Sequence, residues 1–279
     1  MTTKALADVA KIHINHINHS NQSIDQVIVE EPLQISLQWQ EGDKEIIKPW
    51  LVTMRTPGMD TYLIRGLLIN QGVIDSLCSV QVIQDYDDHT TWSANHQLVI
   101  FTPDTVPKLA QSSRHQVSHS SCGICGINTL KGLQLTLSPC LDTASHWLKP
   151  ERVKRLVNEL KEQQVLFAAT GAVHGIGYWS QGDWQCVMED VGRHNALDKV
   201  TGYLLTHERW HPQGVLVLSG RVSFELMQKA LVTGVCVIIA VGAPSSLAIQ
   251  VAQRFDLTLI GFTRSETFNV YHAPWRLKQ

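Results

Sequence analysis

The chain has 279 residues with 44% hydrophobic and 17% charged side chains, a soluble globular composition long enough for one large domain or two unequal ones. Lys and Arg total 23 against 25 Asp and Glu, a formal charge of −2, so there is no basic excess to hold a nucleic-acid backbone, and any nucleotide is expected as a small ligand. The N-terminal residues show neither a signal-peptide core nor a cleavage site, and no apolar run reaches the roughly 18 residues of a membrane span. With six cysteines, too sparse for a disulfide scaffold, these features lead to the expectation of a cytoplasmic protein with no membrane partner.

In chain order, residues 1–24 carry the repeat His13-Ile-Asn-His16-Ile-Asn-His19 in polar company and are expected to form a mobile, His-rich tail. Alternation predicts strands from Val27 to Leu37 and over Trp50–Met54, ending at the turn signal Thr56-Pro57-Gly58. A helix is predicted next, with Asp60 as N-cap, Leu63, Leu67 and Leu68 at helical spacing and Gly72 closing it. Strands at Val80–Ile83 and Gln97–Phe101 follow. From Pro103 to Asn128 periodicity disappears, and this irregular segment holds the closely spaced pair Cys122 and Cys125. The expected organisation is the tail, a strand-rich part over 25–128 and an α/β domain over 129–279.

In that last part Pro150–Gln164 is a clear amphipathic helix, with Val153, Leu156, Val157 and Leu160 on one stripe. Strands are predicted at Val165–Ala169, Trp184–Glu189, Val215–Leu218, Val235–Val241 and Leu257–Ile260, and helices at Arg193–Leu205, Phe224–Leu231 and Ser245–Phe255. Strands separated by helices of about ten residues call for a largely parallel sheet with helices on its faces.

Ligands of such sheets bind at the carboxyl ends of strands. Three of those junctions carry glycine with polar groups: Glu189-Asp190-Val191-Gly192-Arg193-His194-Asn195, Ser219-Gly220-Arg221 and Gly242-Ala243-Pro244-Ser245. Arg193 and Arg221 can each fork a phosphate, so the edge points to a phosphate-bearing ligand, although no Walker A loop or dinucleotide fingerprint is present. The cysteine pair admits several readings: a zinc site completed by His115 and His119, a redox pair, or an exposed nucleophilic thiol able to carry sulfur. The fragment Thr170-Gly171-Ala172-Val173-His174 is not a deaminase site, because Ile176 stands where that chemistry needs a Glu, and His174 alone reads as a core or loop histidine.

Ordered motifs along nearly the whole chain resemble one family. They are Glu30-Glu31-Pro32-Leu33, Met54-Arg55-Thr56-Pro57-Gly58, Ser121-Cys122-Gly123-Ile124-Cys125-Gly126, Thr170 to His174, Glu189 to Lys199, Ser219-Gly220-Arg221, Ala243-Pro244-Ser245, Gly261 to Arg264 and Asn269-Val270-Tyr271. The chain resembles the FdhD family, the formate dehydrogenase accessory sulfurtransferases. The resemblance implies a sulfur carrier that takes persulfide sulfur from a cysteine desulfurase and delivers it to the molybdenum bis-guanine-dinucleotide pterin cofactor, a bound substrate, for formate dehydrogenase. It also implies a homodimer and a cytidine-deaminase-like, three-layer domain with a mixed, largely parallel sheet.

Carried onto this chain, the resemblance makes Cys122 the persulfide nucleophile, with Cys125 assisting or acting as alternative carrier. Phe262, Thr263, Arg264, Ser265, Glu266 and Thr267 match the segment the family uses on the cofactor, with Ser265 where the family usually has Gly and Glu266 near where it has a basic residue. Arg193, His194, Asn195, Ser219 and Arg221 fit a surrounding nucleotide pocket, and no tightly bound metal is expected. The rival readings are a cofactor-binding chaperone that never carries sulfur and a zinc-stabilised binding module.

Overall fold

A computed structural model describes residues 9–15, 22–87, 95–109, 144 and 146–278. In the stretch expected as a tail, β1 (Val9–Asn15) pairs antiparallel with β2 (Gln22–Ile28). Ala10, Ile12 and Ile14 alternate there with Lys11 and His13, a strand signal that the polar His-rich repeat obscures.

Next come β3 (Glu31–Glu41) and β4 (Lys44–Arg55), longer than expected and joined by a tight turn in which Gly42 takes a φ of 63°, a conformation glycine adopts without strain. With β5 (Val80–Asp85) and β6 (His96–Phe101) they form a four-stranded sheet in the order β4-β3-β6-β5, where only β3 and β6 run parallel. Leu33, Ile35, Leu37 and Trp39 alternate inward along β3 and meet Leu63, Ile64, Leu67 and Leu68 of α1 (Asp60–Asn70). Asp60 is the first helical residue rather than the N-cap. Its carboxylate is committed to Arg55, and Met59 precedes the helix at a φ of 59°.

The second sheet has six strands in the order β12-β11-β10-β9-β7-β8. They are β7 (His174–Ser180), β8 (Asp183–Asp190), β9 (Val215–Leu218), β10 (Val237–Ala240), β11 (Thr258–Gly261) and β12 (Asn269–His272). β9, β10 and β11 are parallel. The other three pairings, β11 with β12, β7 with β9 and β7 with β8, are antiparallel, so the sheet is mixed and not largely parallel. The difference comes from β7 and β12, neither of which the spacing predicts. β7 reads His-Gly-Ile-Gly-Tyr, and its glycines weaken a strand signal while making room for neighbours. A Cβ at Gly177 would lie 2.3 Å from the Trp184 ring, and one at Gly175 would lie 2.4 Å from the Gln164 side chain.

The sheet is covered on both faces. Leu216, Leu218, Ile238 and Leu259 point to one side, against α4 (Arg193–Thr206), α5 (Phe224–Val232) and α6 (Ser246–Phe255). Val215, Val217, Val237, Ile239 and Ile260 point to the other, against Val153, Leu156, Val157 and Leu160 of α2 (Pro150–Gln163). β9 and β10 are therefore apolar at every position and β11 at all but Thr258, the pattern of strands buried on both faces.

One element changes type. Val165–Ala169, β-branched and aromatic enough to read as strand, is the start of α3 (Val165–Thr170). Its amides at Leu166 and Phe167 each donate to the Glu189 carboxylate at 2.8 Å, and Gly171, at a φ of 68°, closes the turn onto the Phe167 carbonyl. The carboxylate that satisfies the helix start comes from the end of β8, 22 or 23 residues away, beyond the reach of a local pattern.

The two sheets are joined through α1 and α4, which cross at backbone distance. A Cβ on Gly66 would lie 1.9 Å from the Asp198 carbonyl oxygen, and one on Gly202 would lie 1.9 Å from that of Tyr62. Around this crossing Asn70 Nδ2 donates to Asp198 Oδ1 at 2.7 Å, and the Arg65 guanidinium donates to Thr206 at 2.9 Å. Gly202→Ala is expected to force the helices apart and lower stability by about 3 kcal/mol or more, the upper end of overpacking costs. Urea unfolding measures this, and an unchanged midpoint would show that the close crossing is not required.

Candidate functional site

β4 and β8 end side by side, and their exits are fastened by a buried polar network. Asp190 and Thr56 are completely buried, and Lys199 nearly so. Lys199 Nζ lies 2.8 Å from Asp190 Oδ2 and donates to the Thr56 carbonyl at 3.0 Å. The Thr56 amide donates to Asp190 Oδ2 at 3.2 Å, the Gly192 amide to Asp190 Oδ1 at 2.9 Å and the Val191 amide to Thr56 Oγ1 at 3.1 Å. Burial pushes the Asp190 carboxyl up, and Lys199, Gly192 and Asn195 oppose that shift. An ammonium at 2.8 Å with three further N–H donors holds the carboxylate ionised beside its partner. Beside the network, Arg55 forks both oxygens of Asp60 at 3.0 Å and reaches Glu31 at 3.3 Å.

The Asn195 side chain, expected at the nucleotide pocket, is engaged in this network. Its amide nitrogen donates to the Met54 carbonyl at 2.7 Å and to Asp190 Oδ1 at 3.3 Å, while its oxygen accepts from Thr53 at 3.4 Å. On the third position of α4 its side chain faces β4, whereas Arg193 and His194, on the first two, belong to the open edge of the sheet.

That edge gathers the carboxyl ends of β8, β9, β10 and β11 and the start of β7. The Ser219 hydroxyl accepts from the Gly175 amide at 3.0 Å, which fixes the exit of β9 to β7. The exits of β9 and β10 are stitched by Gly242 N–H donating to the Gly220 carbonyl at 3.1 Å and Val222 N–H to the Ala243 carbonyl at 3.0 Å. A Cβ on Gly242 would lie 2.7 Å from the backbone of Gly220 and Arg221, so only glycine allows this approach. α5 and α6 start with Ser223 and Ser245 capping the Leu226 and Ala248 amides; α4 starts at Gly192 with no side-chain cap.

Arg193 and Arg221 form no hydrogen bond or ion pair among the described residues. Glu225 lies 2.9 Å from His194 Nε2. His174 is half-buried at the head of β7. Its pKa is lowered, first by burial and then by the charges of Arg193, His194 and Arg221. An uncapped helix N-terminus, two unpaired guanidiniums and an imidazole are the components of an anion site.

The 262–267 segment borders the same edge. Phe262 takes a φ of 50° and is 45% exposed, and its amide donates to the Gly242 carbonyl at 3.1 Å. Thr263 is buried, with its amide donating to Ala240. Arg264 donates to the Val241 carbonyl at 2.8 Å, which pins the segment to the exit of β10. Ser265, Glu266 and Thr267 are exposed. The structure thus brings together Arg193, His194, Ser219, Arg221 and the 262–267 segment. It adds His174 and Glu225, which sequence reasoning set aside or missed, the signal for both being their position at the same strand exits. Cys122, Cys125, His115 and His119 lie outside the described residues. Cys78 is exposed. Among the described residues no group of three or more His, Cys, Asp or Glu is arranged to hold a metal ion, and no helix is long and apolar enough to cross a membrane.

The FdhD/NarQ family model matches residues 28–278. A protein named sulfur carrier protein FdhD from Thermoplasma acidophilum is 35% identical over 92% of this chain and 88% of its own length. One of the same name from Streptomyces avermitilis is 37% identical over 91% of this chain and 89% of its own. The crystal structure of a candidate formate dehydrogenase accessory protein from Desulfotalea psychrophila superposes with a TM-score of 0.70 at 25% identity, covering 96% of this chain and 98% of that one. The fold is that of a mixed α/β protein whose six-stranded sheet exposes the strand-exit edge described above. The chain belongs to the FdhD/NarQ family.

Lys199→Met tests the buried network. It leaves the Asp190 carboxylate without its counter-ion and is expected to cost about 3–5 kcal/mol in urea unfolding. Wild-type stability in this variant would mean that the pair does not hold the two sheets together.

Proposed function

We propose that this protein is a sulfur carrier for formate dehydrogenase maturation, moving persulfide sulfur from a cysteine desulfurase to a molybdenum bis-guanine-dinucleotide pterin cofactor bound as substrate. The observation that carries the reading is the convergence of unpaired Arg193 and Arg221 with the uncapped start of α4 on one sheet edge, in a chain of this family. Such an edge suits the diphosphate of a guanine dinucleotide, and exposed Phe262 offers a ring face for its heterocycle. The same reading takes the layered domain as deaminase-like in layout, places the protein in the cytoplasm and makes it a homodimer.

In this scheme the Cys122 thiolate attacks the terminal sulfur of the donor persulfide. The donor cysteine leaves as a thiolate, and Cys122 then bears the extra sulfur as a persulfide. Delivery would pass that terminal sulfur to the substrate cofactor, which as a two-electron donor would reduce it to sulfide as the S–S bond breaks and Cys122 leaves as a thiolate. Cys125 offers a second exit: its thiolate displaces hydrosulfide from Cys122, leaving a Cys122–Cys125 disulfide that a reductant must reopen. The protein's other task is to hold the nucleotide ends still while the thiol approaches.

Two experiments test the proposal. Intact mass after incubation with a desulfurase and cysteine is expected to show a thiol-reducible gain of one sulfur atom in the wild type and none in Cys122→Ala; no gain in the wild type would move the protein to the cofactor-binding chaperone reading. Arg221→Gln is expected to weaken guanosine diphosphate about tenfold by calorimetry, the scale of one lost charge-assisted contact, without changing sulfur loading. Unaltered nucleotide affinity would take the diphosphate away from this edge.

A further inference from the structure

His174 is poorly explained by the resting fold. It is half-buried, and neither ring nitrogen has a hydrogen-bond partner among the described residues, which leaves both free to meet a ligand. The ring lies over the backbone at the exit of β9: a Cβ on Gly220 would come 3.3 Å from Nδ1 and 3.5 Å from Cε1. The groups around it are unbalanced in sign. Arg193 and His194 come from α4 and Arg221 from the β9 exit, all acting on the imidazole. The nearby carboxylates are already engaged. Asp190, its partner across β7 and β8, is held by Lys199, Glu189 by the amides of α3, and Glu225 stands against His194. Two guanidiniums, with no unengaged carboxylate beside them among the described residues, create a place where a negative charge is missing.

We propose that His174 is a phosphate ligand of this site, taking up a proton when the anion binds and donating it in a hydrogen bond to an oxygen of the anion. The proposal rests on the reading of the edge as a nucleotide-diphosphate site and adds a binding residue that the reading does not contain. Without an anion the surroundings favour the neutral ring, as its lowered pKa records. A bound dianion turns the local potential over, so the bound-state pKa exceeds the free-state one. Affinity is then greatest below the free-state pKa of His174 and falls as pH rises towards the bound-state pKa.

The test follows the His174 ring by NMR titration of the full chain, alone, with saturating sulfate and with saturating guanosine diphosphate. Sulfate serves because it does not titrate over this range. The expected result is a rise of about one pKa unit or more with either anion, equivalent to about tenfold tighter binding to the protonated ring. His174→Gln, which keeps a donor and cannot titrate, is expected to bind sulfate with a clearly shallower pH dependence between 6 and 8.5 than the wild type, and to match the wild type at the alkaline end. A merely structural histidine would weaken binding equally at all pH values. If guanosine diphosphate binds while the His174 pKa stays put, the proposal is overturned and the nucleotide reading stands. If sulfate raises the pKa but the nucleotide does not bind, the anion ligand stands and the nucleotide reading falls. If neither anion binds, both fall.

Discussion

The buried pairing of Lys199 with Asp190, and of both with Thr56, is the interaction on which the rest depends. A charge pair so completely removed from water is costly to desolvate, and it persists only because nearly every lone pair and proton has a partner. Those partners come from both halves of the molecule: the Thr56 backbone from the exit of β4, and the amides of Val191 and Gly192 from the exit of β8. The network therefore fixes where α4 begins. With the Gly66–Gly202 crossing, it sets the four-stranded sheet against the six-stranded one with little freedom to slide.

A division of labour within one turn of helix follows. Asn195 turns into the network, while Arg193 and His194, one and two positions earlier, remain at the open edge. The exits of β9 and β10 are locked to each other through glycines 220 and 242, and the Phe262–Arg264 segment is locked to β10. The proposed anion recognition would benefit from such rigidity, because donors already held in place lose little entropy when a ligand arrives. The site is thus a product of stiff backbone joints, with Arg221 and Arg193 as its unpaired outward groups.

How far this was legible in the sequence depended on the range of the interactions. Helices α2, α4, α5 and α6 and the interior strands β9, β10 and β11 carry their own patterns, apolar stripes or short apolar runs, and were read correctly to within a residue or two. α3 was mistaken for a strand because Glu189, distant in sequence, supplies the acceptor for its first amides. β7 was missed because Gly175 and Gly177 are needed to admit Gln164 and Trp184, and glycines dilute a strand pattern. The hairpin β1–β2 and the mixed direction of the large sheet were likewise out of reach, being matters of pairing rather than composition. At the open edge, the strand-exit rule picks out Arg193, Ser219 and Arg221 as neighbours in space, but nothing local distinguishes Asn195, turned inward, from its neighbours, or places His174 beside the arginines.

The most direct single test of the strand-edge site is amide hydrogen exchange on the full chain with and without guanosine diphosphate. Protection is expected to rise together at residues 192–196, 219–222, 241–243 and 262–264, the four backbone stretches that meet at the open edge. Binding accompanied by protection elsewhere, with these four stretches unchanged, would contradict the placement of the nucleotide on this edge.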